Sequence, residues 1–325
     1  MNALEQHLSG RDDRRTVRVA KWLRAADSVS TPLGKWLERK LWIGPLRHMR
    51  NVGSQITFRQ ETDGGWSVLK GGATIAAGAP LPELVDCRDR PVSIVATGPS
   101  AREYPWDSVR NGERMIVAVN GAPTFLHGLE IQPDLLVVTD PYFAASGKAH
   151  FDYAPGVPLV TTTRAAAMLA QHSPEQLTGR RFSIIERVNA WYGVPALSLP
   201  ELYAVNVSGG SPFHFPEDET LQLKVGWSDR PELGFFSGCT VVFAALQVVA
   251  GLGSKDVEII GMDLSAQPRI YDEAGNPQPS MLQDQYDRYI LPSFEMMARA
   301  LAGTQIRVRN ISPVCPLPRN LFASP

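Results

Sequence analysis

Cysteine is scarce in this chain: three in 325 residues, at Cys87, Cys239 and Cys315. The odd number and wide spacing exclude a disulfide framework and a cysteine-based metal knot, and they point to a reducing compartment. Long apolar runs are also missing. No stretch reaches the ~20 residues needed to cross a bilayer. The longest, Cys239 to Leu252, is interrupted by Gln247 and reads as a buried helix. The N-terminus has no apolar h-region, so no secretory leader is expected. Of the six histidines, none follows His214. No histidine, cysteine and carboxylate spacing of a metal site occurs, so no protein-held metal is expected. Magnesium held only through a substrate phosphate would leave no mark in the sequence. Repeats and low-complexity tracts are absent.

What remains is an ordinary globular composition, 44% hydrophobic and 20% charged, with a net charge of −1. That charge is unevenly spread. Residues 1–60 hold 12 Lys/Arg against five Asp/Glu, a net +7 that leaves −8 for the rest of the chain. Trp22, Trp36 and Trp42 lie among these cations, with Leu23, Leu37, Leu41, Ile43 and Leu46. Such a basic arm fits an anionic membrane surface, with rings at headgroup depth. It fits equally a helix that packs its Trp face on the core and solvates its charges. No base-reading motif accompanies it, so nucleic acid is not expected as a partner.

The most informative stretch is Ser93-Ile94-Val95-Ala96-Thr97-Gly98-Pro99-Ser100. An apolar run ends in a tight polar turn, as a buried parallel strand does when it feeds a helix. Gly98 permits close approach to a ligand, Pro99 suits a first helical turn, and Ser100 with the free N–H groups can receive an anion. The same grammar recurs in Met115–Gly121, ending at Asn120, in Pro133–Pro141, ending at Asp140, and in Val257–Leu264, ending at Gly261 and Asp263. Ligands of open α/β sheets sit beyond the carboxyl ends of the strands. Gly98, Ser100, Asn120, Asp140, Gly261 and Asp263 are therefore expected at one crevice; taken singly, each also reads as a turn or cap residue. Ser237-Gly238-Cys239-Thr240 stands before the helical run Val241 to Ala250 and offers hydroxyls at a second helix start, for an anion, a ribose or plain capping.

The predicted fold is α/β: a Rossmann-like, mostly parallel sheet with helices on both faces, plus an N-terminal helical arm and a small β unit. The arm covers 1–53. The β unit covers 54–89, with strands near Gln55–Arg59, Trp66–Leu69 and Thr74–Ala77. The Rossmann-like domain covers 90–325, with an insertion at about 145–235 that includes the turn-rich Ser208–Pro212 and is a candidate lid.

Across roughly residues 91–315 the chain resembles a known family. Thr97-Gly98-Pro99-Ser100, Val117–Ala122 and Val137–Asp140 carry one half of the likeness. Ser237–Gln247, Gly261–Leu264, Arg269–Glu273, Leu291–Phe294 and Asn310–Pro313 carry the other. In this order they look like the lipopolysaccharide core biosynthesis protein WaaZ (RfaZ) family of Kdo transferases. The Gly-Pro-Ser turn, Ser-Gly segment and Gly-x-Asp strand end are more distantly similar to bacterial sialyltransferases that use CMP-sialic acid. The resemblance implies a CMP-Kdo donor, no further cofactor, a lipid-anchored lipopolysaccharide precursor as acceptor, and a peripheral position on the cytoplasmic face of the bacterial inner membrane. It implies that Thr97, Gly98, Pro99 and Ser100 cradle the CMP phosphate or ribose. Asn120 and Asp140 would contact the nucleotide or sugar, and Ser237, Gly238 and Thr240 cytidine or the donor carboxylate. Asp263, Arg269, Tyr271 and Asp272 would line the sugar side beyond Gly261, with Arg269 on a carboxylate or the leaving phosphate and Tyr271 on the departing phosphate. The sialyltransferases place a histidine base after the Gly-x-Asp strand. This chain has none there, which leaves Asp263, Asp272 or His214 as the base. Two other function classes share such a turn: a pterin-type diphosphokinase, which needs ATP and a Mg²⁺-binding carboxylate set, and a non-catalytic sugar-nucleotide or lipid-binding protein.

Overall fold

The computed structural model describes Leu4, His7, Leu8 and His48, then residues 55–110, 112–265, 268–271 and 281–324. Asp272 and the arm's Trp22, Trp36 and Trp42 lie outside the described residues. The short apolar runs form the strands the sequence pattern predicts. An antiparallel sheet holds β1 (Ile56–Gln60), β2 (Trp66–Lys70) and β3 (Ala73–Gly78). The main sheet holds β4 (Val92–Val95), β5 (Met115–Val119), β6 (Leu135–Val138), β7 (Leu159–Thr161) and β8 (Phe182–Ile184), then β11 (Asp256–Ile260) and β12 (Arg307–Asn310). A two-stranded hairpin of β9 (Phe213–His214) and β10 (Trp227–Ser228) lies between them in sequence.

The seven main strands are all parallel, in the order β12-β11-β4-β5-β6-β7-β8. Alternate residues of each strand enter opposite cores, as the two-residue period requires. Val92, Ile94, Met115, Val117, Leu135, Val137, Val257 and Ile259 face one core. Val95, Ile116, Ala118, Leu136, Val138, Leu159 and Ile260 face the other. Helices cover both. α1 (Ala122–Gly128), α2 (Pro141–Ser146), α3 (Lys148–Asp152) and α4 (Thr163–His172) bury Leu126, Ala144, Phe151 and Leu169 in the second core. α5 (Leu199–Ser208), α6 (Val241–Gly251) and α7 (Leu291–Leu301) bury Leu202, Leu246 and Phe294 in the first. Each of these Leu and Phe side chains contributes about 1.5–3 kcal/mol on leaving water. The fold is therefore the Rossmann-like α/β arrangement expected. Among the described residues no helix is long and apolar enough to cross a membrane.

Two expectations about organisation change. The stretch 145–235 is not a single insertion, because its first half supplies β7, α4 and β8. These strands are three residues each, too short for a strong periodic signal. Only the part after β8 leaves the sheet. The small β unit is not set apart either. Ile56, Phe58, Trp66 and Val68 share the second core, and the Ala79 N–H donates to the Phe182 carbonyl of β8 at 2.8 Å. Of the arm, Leu4 and Leu8 are buried in the first core.

Gln247, which interrupts the apolar run of α6, is structural. Its side chain is fully buried. Its amide oxygen accepts from the N–H groups of Ser228 and Phe236, and its NH₂ donates to the carbonyls of Phe236 and Phe243. The helix thus holds the segment that leads into Ser237. Gln247→Leu leaves the Ser228 and Phe236 groups without partners, each costing about 1–3 kcal/mol when buried. Chemical denaturation is expected to show a loss of ~2–4 kcal/mol; an unchanged midpoint would contradict this role.

Candidate functional site

In the strand order, β4 leads by way of β5 to one edge of the sheet, and β11 leads by way of β12 to the other. The switch point thus falls between β4 and β11, where such sheets open a crevice. The two most conspicuous motifs of the sequence meet there. Gly98 N–H donates to the Gly261 carbonyl at 2.8 Å. Ser100 N–H donates to Asp263 Oδ2 at 2.9 Å, and the Ser100 hydroxyl donates to Asp263 Oδ1. Both positions need glycine for contact reasons. A Cβ on Gly98 would stand 2.4 Å from the Gly261 oxygen and 2.6 Å from the Asp263 carboxylate; Gly261 has φ +73° and abuts Ala101.

These bonds occupy the backbone donors of the expected phosphate cradle. Gly98-Pro99-Ser100 leads into a single 3₁₀ turn, Pro99–Glu103, and the N–H groups of Gly98, Ser100 and Ala101 are all spent on protein acceptors. Asp263 is 3% exposed and holds the two strand tips together. Both of its carboxylate oxygens are engaged by Ser100. A cavity of about 150 Å³ lies on the β12 side of this latch, between Ser100, Gly261 and Ser312.

Past Asp263, the chain returns across the top of β4. Ile270 N–H donates to the Thr97 carbonyl at 2.8 Å, and Arg102 donates to the Ile270 carbonyl at 3.0 Å. This crossing sets the Tyr271 ring against the backbone of Gly121, at the end of β5. The ring also meets His150 of α3, with centroids 4.4 Å apart. His150 Nδ1 lies 2.6 Å from Thr124 Oγ1. Arg269, half-buried, sits on the same crossing.

At the tip of β5, Asn120 takes φ +46°, a left-handed geometry that Asn tolerates better than most residues. Its Oδ1 is buried and, among the described residues, has no hydrogen-bond partner. Asp140, at the tip of β6, is exposed and caps α2 by accepting the Tyr142 N–H at 2.9 Å. Thr240 is the N-cap residue of α6, yet its hydroxyl makes no capping bond. Ser237 and Gly238 precede it, with the Gly238 N–H donated to Lys224.

The larger cavity, about 160 Å³, opens at the tips of β6, β7 and β8, and Ser237 forms part of its wall. Thr162 caps α4 by accepting the Ala165 N–H, which places Thr163 and Arg164 at the helix start. Arg187 follows β8, where Phe235 is stitched alongside: Val188 N–H donates to the Phe235 carbonyl, and Phe235 N–H to that of Glu186. Arg164, Glu186 and Arg187 all line the cavity, and Thr163 donates to Glu186 at 2.5 Å. Burial, and after it the like charge of Arg164, hold Arg187 below the ordinary arginine range, while Glu186 opposes them. The sequence reading passed over Arg164 and Arg187. Their signal is the same grammar in shorter form: Leu159-Val160-Thr161-Thr162-Thr163-Arg164 and Phe182-Ser183-Ile184-Ile185-Glu186-Arg187.

His214, a candidate base, lies elsewhere. It sits in the β9–β10 hairpin with its Nε2 2.7 Å from Asp229. That hydrogen bond raises its pKa above the ordinary imidazole range, against partial burial.

Neither a protein-family model nor a curated protein sequence matches the chain. Among solved structures it is similar to the MAf glycosyltransferase of Magnetospirillum magneticum AMB-1, with a TM-score of 0.40 and 15% identity over 71% of this chain. The chain spans 33% of that protein's length. It is also similar to the sialyltransferase CstII of Campylobacter jejuni in complex with the substrate analogue CMP-3FNeuAc. There the TM-score is 0.37 and the identity 9%, over 73% of this chain and 89% of that one. A further sialyltransferase structure, CST-II with a trisaccharide acceptor and CMP, gives a TM-score of 0.35 and 11% identity, over 72% and 88% of the two chains.

The latch makes a prediction opposite to that for a solvent-facing catalytic carboxylate. Asp263→Ala strands a buried Ser100 N–H and is expected to cost about 1–3 kcal/mol, seen as a melting temperature lower by several degrees. Unchanged melting would return Asp263 to the list of free site carboxylates.

Proposed function

We propose that this chain is a glycosyltransferase that takes Kdo from CMP-Kdo and adds it to the Kdo region of the lipopolysaccharide inner core. The observation that carries this reading is the buried, unpartnered Asn120 Oδ1, at the carboxyl end of a central strand of an open parallel sheet. A buried acceptor without a donor costs free energy, and a ligand N–H or O–H is the group that would offset it. A cytosine amine or a ribose hydroxyl supplies one. The Thr240 hydroxyl is not spent on capping, and with Ser237 it offers further polar contacts at the start of α6.

In this reading an acceptor hydroxyl attacks the anomeric carbon, the bond to the CMP phosphate breaks, and the hydroxyl proton passes to a base. Negative charge grows on the departing phosphate, so donors placed at that oxygen dominate the rate. Tyr271 and Arg269, carried over the strand tips by the crossing at Thr97, take that role. Since Asp263 is engaged with Ser100, we assign the proton to His150, whose ring lies against Tyr271 and whose Nδ1 is oriented by Thr124. Gly98, Pro99, Ser100, Gly261 and Asp263 shape the crevice, and Asp140 shapes its rim. The acceptor is lipid-anchored, so the enzyme works on the cytoplasmic face of the inner membrane. Leu4 and Leu8 belong to the core of the domain, so the membrane contact falls to the basic and Trp-bearing stretch that follows them.

Isothermal titration with CMP and ATP, followed by turnover with CMP-Kdo and a lipid A–Kdo acceptor, tests this. CMP is expected to bind, and Kdo transfer to follow. Asn120→Gly, which keeps the left-handed backbone without strain, is expected to weaken CMP at least ~10-fold, the scale of one lost buried hydrogen bond. Binding of ATP and not CMP would favour the diphosphokinase reading. CMP binding without turnover would favour a non-catalytic sugar-nucleotide protein.

A further inference from the structure

Among its described lining residues, the cavity at the tips of β6, β7 and β8 holds more cationic than anionic side chains. Two guanidiniums, Arg164 and Arg187, line it together with one carboxylate, Glu186. Among the described residues neither arginine stands within ion-pair distance of a carboxylate, whereas Arg114 and Arg309 of the same sheet are paired with Asp256 and Glu258. Arg164 Nε is buried and has no hydrogen-bond partner among the described residues. Glu186, 8% exposed, is engaged by the Thr163 hydroxyl. The positive end of the ten-residue helix α4 opens at the same wall, through Thr163 and Arg164.

Two like charges, partly removed from water and opposed by a single carboxylate, are unfavourable in the empty protein. Arginine stays protonated at any physiological pH, so the pair does not escape by losing a proton. The arrangement becomes favourable when an oxyanion enters, because a guanidinium presents a planar fork that matches a carboxylate or phosphate. The cavity is small, and Tyr192 and Phe235 supply apolar wall. Such a space takes one anionic group with a short part of the molecule that bears it.

We propose that Arg164 and Arg187 form an oxyanion subsite for the acid group of the substrate, the carboxylate of a 2-keto-3-deoxy sugar acid or a phosphate. The subsite stands apart from the Gly98–Asp263 latch. The inference rests on the transferase reading only for the identity of the sugar acid; the anion site itself follows from the unpaired arginines. Ser237, in the same wall, sets the edge between the sugar acid and the nucleotide held at Asn120.

The test uses the full chain and four probes: the free 2-keto-3-deoxy sugar acid Kdo, its methyl ester, inorganic phosphate and CMP. Titration calorimetry gives affinities for the wild type and for Arg164→Gln, Arg187→Gln and Arg187→Lys, and each unliganded variant is melted. The free acid is expected to bind, with its ester at least ~10-fold weaker. Each Gln variant should lose at least ~10-fold for the acid and leave CMP within about twofold. Arg187→Lys, which keeps the charge and loses the fork, should fall between. Unliganded Arg187→Gln should melt at or above the wild-type temperature, since it removes a buried charge repelled by Arg164. If phosphate binds in an arginine-dependent manner and the sugar acid does not, the subsite is assigned to a phosphoryl group. If the acid binds in this manner and CMP does not bind at all, the anion subsite stands and the nucleotide reading falls. Equal binding of acid and ester, binding of neither anion, binding unaffected by both Gln variants, or an Arg187→Gln variant that melts well below the wild type with unchanged anion binding would each overturn the proposal.

Discussion

The buried hydrogen bonds from Ser100 to the Asp263 carboxylate are the constraint on which the carboxyl edge of the sheet depends. They join the first strand of one half of the fold, β4, to the first strand of the other, β11. The backbone ladder of β4 and β11 sets their register, and the bonds from Ser100 to Asp263 carry the link past the strand ends. With Gly98 and Gly261 in backbone contact beside it, the latch brings the tips close enough for the chain after Asp263 to cross over Thr97. That crossing delivers Tyr271 to Gly121 and His150. A residue other than glycine at position 98 would push the tips apart and displace everything downstream.

Polar groups at the strand tips fall into two sets by this criterion. The N–H groups of Gly98 and Ser100, both oxygens of Asp263, and one oxygen of Asp140 are spent on the protein itself. Asn120 Oδ1 and Arg164 Nε are buried without partners, the Thr240 hydroxyl makes no capping bond, and Arg187 has no ion pair among the described residues. Spent groups explain shape, and unspent ones have free energy to gain from a ligand. The proposed site therefore draws on the tips of β5 through β8 and the start of α6 as well as on the most recognisable motif, at β4 and β11.

Much of this was legible from residues alone. Continuous Val/Ile/Leu runs gave the central strands, because a strand buried on both faces has no polar alternation to confuse the pattern. The strands expected near Gln55–Arg59, Trp66–Leu69 and Thr74–Ala77 lie within one residue of the bounds of β1 to β3. The β7 and β8 tips were harder, since three residues carry little periodicity and polar residues follow at once. The role of Asp263 was not legible. A carboxylate at a strand tip looks the same in sequence whether it faces a ligand or a serine hydroxyl across the sheet, and only the pairing of β4 with β11 decides. Gln247 was hidden for a similar reason: its four partners come from segments 4 to 19 residues away.

Hydrogen exchange read by mass spectrometry, with and without saturating CMP and the free sugar acid, tests the division between latch and site most directly. Exchange reports the opening of individual backbone bonds. Peptides that contain Asn120, Arg164, Arg187 and Ser237–Thr240 are predicted to gain protection with ligand. Those that contain Gly98–Ala101 should already exchange slowly in the free protein and change little. Ligand protection confined to Gly98–Ala101 and Gly261–Asp263, with none at the tips of β5, β7 and β8, would contradict the account.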